Sequence, residues 1–306
     1  MSPRPALTSR ATGVALVGLG AVGFGFVGIF SSLAYDDGAN APAVILVRAL
    51  GALPLLFLLA SAARRRELRR GATLLGPMAL LATANVTTYF VAVERMAPAL
   101  VTLIVFAYPA LALVGSRLLG WSVLDGLAGL VAATTILGVA LTIGMPSGGV
   151  DPLAVALSLA NAFGYATYLL LAQAALRHVE PLTCWVAAGG ASSLLLLPGA
   201  FILGDVTAPS GPVGLGSLLA IGILSAGLPA VLQLRGIVRL GSATTALVAC
   251  LEIVTVVVAS VIVLDDPIRG GAIGGCVLVL AGAFAAPLVL KQRPRPVVEG
   301  LRATAR

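Results

Sequence analysis

Residues 11–35 read ATGVALVGLGAVGFGFVGIFSSLAY, and no charged residue interrupts them. A helix rises about 1.5 Å per residue, so about 20 apolar residues cross a hydrocarbon core of roughly 30 Å. This run is longer than that. Arg4 and Arg10 precede it, as basic residues precede a signal peptide. A signal h-region has only about 7–15 residues, and no small-x-small cleavage pattern clearly ends this stretch. It therefore predicts a first membrane span.

Similar runs follow near 42–62, 72–93, 98–118, 124–144, 152–175, 182–203, 213–234, 242–264 and 270–290. With the first, near 12–34, they make ten. The breaks hold turn formers and charges, as in Asp36-Asp37-Gly38 and Pro146-Ser147-Gly148-Gly149. Composition agrees. The chain is 59% hydrophobic and 10% charged, with a mean hydropathy of +1.07. Soluble domains are roughly 45–50% apolar and about 25% charged. Lipid must be the solvent, and the fold class is an all-α membrane protein. Cys184, Cys250 and Cys276 lie inside apolar runs without metal or disulfide spacing. No metal site or cofactor is expected.

The charges orient the spans. With the N-terminus in the cytoplasm, the inner segments hold Arg10, the Arg64–Arg70 cluster, Arg117, Arg177, Arg235, Arg239 and the tail from Lys291 to Arg306. The outer loops hold only Arg95 and Arg269, and they carry Asp36, Asp37, Glu94, Asp151, Asp205, Asp265 and Asp266. Cytoplasmic loops retain Lys and Arg, so both ends are expected inside and the span count is even. The expected location is the bacterial cytoplasmic membrane. The net charge of +7 is then a topology and lipid-anchoring signal, not a nucleic-acid footprint.

The second half echoes the first. A shift of 141 maps Val14-Ala15-Leu16 onto Val155-Ala156-Leu157 and Gly23 onto Gly164. A shift of 144 maps Arg95 onto Arg239, Ala99 onto Ala243, Leu103 onto Leu247 and Gly138 onto Gly282. Five spans per half is odd, so the halves insert with opposite topology. The predicted architecture is two inverted five-helix repeats, residues 1–146 and 147–306, the second ending in a basic cytoplasmic tail. Inverted repeats are a recurring transporter design, with the substrate near the midplane between them.

Three segments carry a resemblance: Ile45-Leu46-Val47-Arg48-Ala49-Leu50, Tyr108-Pro109-Ala110, and Ser242-Ala243-Thr244-Thr245-Ala246-Leu247 leading to Leu251-Glu252-Ile253-Val254. Together they resemble the EamA-like branch of the drug/metabolite transporter superfamily over roughly residues 12–290. Ile253 stands where the family often has Pro, and Ser116-Arg117 and Asp265-Asp266 replace its usual Gly-Glu. The resemblance implies ten spans in two repeats. It also implies export or exchange of amino acids, drugs or other small metabolites by a secondary transporter.

Polar groups within spans are costly, and each is a functional candidate beside a structural alternative. Glu252 is the acid deep in span 9. Burial disfavours the charged form of such a group, so it suits proton coupling, a substrate contact or a protonated bridge between helices. Its repeat mate is Tyr108 in span 4. Asn161, Tyr165 and Tyr168 share one face of span 6 by their i, i+4, i+7 spacing, and Asn85 and Tyr89 share a face of span 3. These can bind a substrate or join helices. Arg48 in span 2 can attract an anionic group, snorkel outward, or pair with Asp36 or Asp37. Gln233 and Trp185 lie near predicted interfaces and rank lower. His178 reads as a solvated loop residue.

The overlapping pairs Gly270/Gly274 and Gly271/Gly275 in span 10 suit close helix packing, including contact between two copies in a homodimer. The rival readings are an intramembrane enzyme and a channel or receptor. The paired acids Asp36-Asp37 and Asp265-Asp266 sit in outer turns without a His beside them, which disfavours an enzyme. No phosphate-binding loop is visible, and Lys291 is too terminal to hold retinal.

Overall fold

The structure is a computed structural model. It describes residues 7–60, 65–96, 98–123, 125–143, 150–224, 227–263 and 270–292. The expected boundary at 146–147, the pair Asp265-Asp266, Arg269 and the basic tail from Arg293 lie outside these residues.

In hydrocarbon every backbone N–H and C=O must be satisfied internally, which leaves helices as the means of crossing. The described residues are accordingly helical nearly throughout. Spans 1–3 are Leu7–Asp36, Ala41–Ala60 and Arg65–Arg95. Span 4 is two helices, Pro98–Val105 and Tyr108–Leu118. Span 5 is Gly126–Ile143 and span 6 is Pro152–Ala175. Span 7 runs from Pro181 to Leu203 with a π turn at Trp185–Gly189. Span 8 is Pro212–Leu224 and Leu228–Leu240, span 9 is Ser242–Ala249 and Leu251–Val263, and span 10 is Gly270–Val289. Among the described residues nine of these are long and apolar enough to cross a membrane, and span 5 is a shorter apolar helix. Large apolar side chains such as Phe57, Ile202 and Ile262 are exposed, as a lipid solvent allows.

Contacts at the helix ends sort the ends into two faces. Arg10 donates to the Pro287 carbonyl at 3.0 Å, joining the start of span 1 to the end of span 10. Ser122–Val123, between spans 4 and 5, pairs antiparallel with Lys291–Gln292. Arg177 lies over the Trp121 ring at 4.8 Å, and the Glu180 amide donates to Glu67. These contacts define a terminal face. On the far face Asp37 accepts from the Gly211 and Gly214 amides, at 2.9 and 3.0 Å, and so caps span 8. Asn40 bonds Asp205 and Thr207, Glu94 accepts from Ala41, and Arg95 pairs with Asp151 at 3.6 Å. The first and last spans thus end on one side, as an even number of crossings requires.

Spans 4 and 9 break at matching places. Pro109 has no N–H and its ring crowds the carbonyl four residues back, and the first helix of span 4 ends at that residue, Val105. The Ala107 amide turns to Ile104 and the Ala110 amide to Ala107. In span 9 the break is at Cys250, where the Cys250 amide turns to Leu247 and the Ile253 amide to Cys250. The shift of 144 carries Phe106 onto Cys250 and Pro109 onto Ile253. The second break therefore forms without its proline, through tighter i→i+3 bonds.

Helix packing follows the same exchange of halves. Span 3 packs along span 6 as span 8 packs along span 1, and span 4 meets span 6 as span 9 meets span 1. Spans 5 and 10 lie together. A Cβ on Gly138 would be 2.8 Å from the Val279 nitrogen, and one on Gly282 would strike Thr135. Exchanging the halves by 144 turns one of these contacts into the other. Gly271 and Gly275 face Leu141 and Thr142 of span 5, whereas Gly274 faces open space. Gly271 and Gly275 thus serve the expected close helix packing, here against span 5.

Candidate functional site

A cavity of about 610 Å³ lies among the spans, within the 300–1,000 Å³ typical of small-molecule sites. Arg48, Asn85, Tyr89, Tyr108, Asn161, Tyr165, Tyr168 and Glu252 all line it. They come from spans 2, 3, 4, 6 and 9, so the fold gathers every candidate singled out in the sequence. Phe24, Phe90, Phe106, Trp185 and Val257 supply much of the apolar wall.

The two helix breaks set the centre. Tyr108 opens the second helix of span 4, and Glu252 is the second residue after the break in span 9. The Tyr108 hydroxyl donates to the Ala246 carbonyl at 3.4 Å, tying one broken span to the other. Its ring meets Tyr165 edge-on at 4.8 Å, and Tyr165 lies parallel to Tyr168 at 6.1 Å. The Tyr165 hydroxyl donates to Gln233 Oε1 at 3.0 Å. A row of three phenols thus runs through the cavity, presenting edges, faces and hydroxyls to one space.

Asn161 is bound from below that row. Its Nδ2 donates to the Asn85 carbonyl at 2.6 Å and to Thr88 Oγ1 at 3.1 Å. The Asn85 amide nitrogen, by contrast, is buried without a partner. Arg48 and Glu252 likewise have no hydrogen-bond or ion-pair partner among the described residues. Arg48 does not reach Asp37, whose carboxylate is taken by span 8. Among the described residues each is the only one of its charge in the cavity wall. Among the described residues no cluster of His, Cys, Asp or Glu could hold a metal ion.

The cavity wall extends along the membrane axis toward both faces. Toward the far face its wall reaches Ser32, Phe90, Thr102 and Thr142, all within about two turns of their helix ends. Toward the terminal face it is floored by Tyr168, Trp185 and Gln233. Beyond that floor every residue from Leu240 to Cys250 is buried, and Gln173 accepts from the Ser242 amide at 2.6 Å. Gly227 helps to set the floor. Its φ of +114° favours glycine, and a Cβ there would strike the Trp185 ring.

Comparison with known proteins now decides the class. The model of the EamA-like transporter family matches residues 152–286, the span 6 to span 10 segment. Residues 152–286 of this chain are EamA-like. The chain is a multi-pass membrane protein, and the family that matches its second half is one of transporters in the drug/metabolite transporter superfamily. A solved structure named only as a crystal structure of a protein shares 18% identity with this chain. It covers 90% of this chain and 97% of its own, with a TM-score of 0.75. At that identity the likeness is one of fold. No curated protein matches.

Gln233 and Trp185 ranked low in the sequence, and Ser31, Thr142 and Ser193 were not singled out. Gln233 reads as interfacial when span 8 is ended at 234; the helix runs on to Leu240 and places Gln233 deep. Trp185 is brought in by the π turn, a device that spacing does not signal. Ser31, Thr142 and Ser193 bond carbonyls four residues back in their own helices, so their sequence looks like ordinary helix interior.

Proposed function

We propose that this chain is a secondary transporter that exports small metabolites across the bacterial cytoplasmic membrane by alternating access. Its two halves, residues 1–146 and 147–306, act as inverted repeats, with both ends in the cytoplasm. Small molecules bind in the cavity, in contact with Arg48, Glu252, the three phenols Tyr108, Tyr165 and Tyr168, and the Asn85, Tyr89 and Asn161 groups. Glu252 exchanges a proton during the cycle.

The observation that carries this reading is the polar cavity among the spans. It holds polar groups at membrane depth, and on its terminal side every residue from Leu240 to Cys250 is buried. A channel needs a continuous path, whereas a transporter needs a site open to one side at a time. The matched breaks of spans 4 and 9 support the repeat reading, because discontinuous helices at a repeat interface recur at transporter sites. Exchange of halves would move an opening from one face to the other.

The test is metabolite release from cells. An overexpressing strain should enrich one or a few small metabolites in the medium relative to a deletion strain. Glu252→Gln, which keeps shape but cannot titrate, should abolish accumulation driven by a pH gradient while leaving exchange largely intact. If Glu252→Gln still concentrates the substrate against its gradient, the coupling role is wrong. Identical media from the overexpressing and deletion strains would sink the export reading.

A further inference from the structure

The cavity wall carries an imbalance that transport alone does not explain. Its unused hydrogen-bonding capacity is mostly donor. The Arg48 guanidinium, with five N–H groups, has no partner among the described residues, and the buried Asn85 amide nitrogen has none. The two lie in one region: Arg48 interacts electrostatically with Tyr89 and Tyr165. Asn85 is one turn from Tyr89 and packs on Gly164, next to Tyr165. Planar, paired donors of this kind match a carboxylate.

The charges set a second condition. Among the described residues Arg48 is the one cation in the wall and Glu252 the one acid, and each is the other's charged partner across the space. The remaining titratable groups facing Glu252 are phenols and a thiol: Tyr89 of span 3, Tyr108 of span 4, Tyr165 of span 6 and Cys250 of its own span. Span 1, which packs on span 9, brings only Phe24, Val27, Gly28, Ile29, Ser31 and Ser32 to the wall. Span 5 brings Thr142, and span 10 brings no residue. Among the described residues no second cation is there to balance a further negative charge, and unbalanced charge at membrane depth is expensive.

We propose that the ligand of this cavity is a monocarboxylate with an apolar body, and that its carboxylate and that of Glu252 alternate as counter-ion to Arg48. This deepens the transport reading and rests on it only for placing the ligand in this cavity. In the empty site Glu252 is ionised opposite Arg48. When a carboxylate binds Arg48, Glu252 takes one proton from the solution at the open side. The cavity is neutral before and after: guanidinium with the Glu252 carboxylate, then guanidinium with the ligand carboxylate and a protonated Glu252. A dianionic phosphate would leave one negative charge uncompensated. The phenols and Phe106 receive the apolar body.

The test uses the purified full-length chain in nanodiscs and four probes of one shape: 3-phenylpropionate, its amide, phenethylamine and phenylalanine. Trp185 lies in the wall, so tryptophan fluorescence reports binding, and a pH dye in weak buffer reports proton uptake. The expected result is that 3-phenylpropionate binds at least tenfold tighter than the other three. Its affinity should fall toward about tenfold per pH unit at the alkaline end, the slope for one linked proton. About one proton should be taken up per site.

Arg48→Gln should weaken the anion at least tenfold and Arg48→Lys less so, with unchanged thermal unfolding showing that both are folded. Glu252→Gln should bind the anion without pH dependence and without proton uptake. Preference for the amine or for phenylalanine, binding of no probe, absence of proton uptake, or the wild-type pH slope in Glu252→Gln would each overturn the proposal. A chain that binds the anion with proton uptake but moves nothing across vesicles keeps this inference and ends the transport reading. A chain that transports only cations or zwitterions does the reverse.

Discussion

Gly164 decides where Asn85 can sit. A Cβ at position 164 would lie 2.5 Å from Asn85 Oδ1, closer than any side chain tolerates. Gly164→Ala should therefore displace Asn85 and, as an overpacked contact, cost about 1–3 kcal/mol of stability, read by denaturant unfolding in micelles. Asn161→Ala removes two bonds across the same seam. Hydrogen bonds between membrane helices are worth about 0.6 kcal/mol on average and up to about 1.7, so it should cost about that much. If both variants unfold like the wild type, the seam is not held as described. Asn85, Asn161, Tyr165 and Tyr168 could be read from the sequence because polar residues at helical spacing are conspicuous against Leu, Ala and Val. Their partners could not. Which amide of Asn85 is left free depends on the approach of span 6, and that is a property of packing.

At the scale of the helix, Pro109 accounts for the break in span 4, and no proline accounts for the one in span 9. Ile253 occupies the corresponding place, yet the chain turns at Cys250 all the same. The physical reason is local. The Ile253 amide is already bonded to Cys250 three residues back, at 3.0 Å, so the i→i−4 ladder is interrupted before any proline is added. Ile253→Pro should thus cost well under the roughly 3 kcal/mol expected in a helix interior, while Val257→Pro, one turn further on, should cost that amount or more. Denaturant midpoints of the two variants compare them directly. Equal, large losses would mean that span 9 is a continuous helix in the membrane. Span boundaries were read to within a few residues, and that margin was enough to misplace Gln233 and no other wall residue of comparable depth.

For the whole molecule, alternating charge between loops was enough to place both chain ends on one side, and the joined ends of spans 1 and 10 agree. How the spans pack on the terminal side of the cavity was not legible, because it depends on contacts between distant segments such as Gln173 with Ser242. In a variant lacking Cys184, Cys250 and Cys276, a cysteine at Thr102 should react with an impermeant maleimide added outside intact cells. One at Ser242, behind the packed floor, should not. Reversed labelling would contradict the orientation. The account stands most directly on one further measurement. Proteoliposomes carrying the chain are loaded with a small-molecule extract of cells, and the outside buffer is sampled over time by untargeted mass spectrometry. Wild-type protein should release a small set of metabolites faster than protein-free vesicles, and Ala52→Trp, which fills the cavity wall between Arg48 and span 3, should bring their release back to the protein-free rate. Release indistinguishable from that of empty vesicles, or unchanged by filling the cavity, would contradict transport through this site.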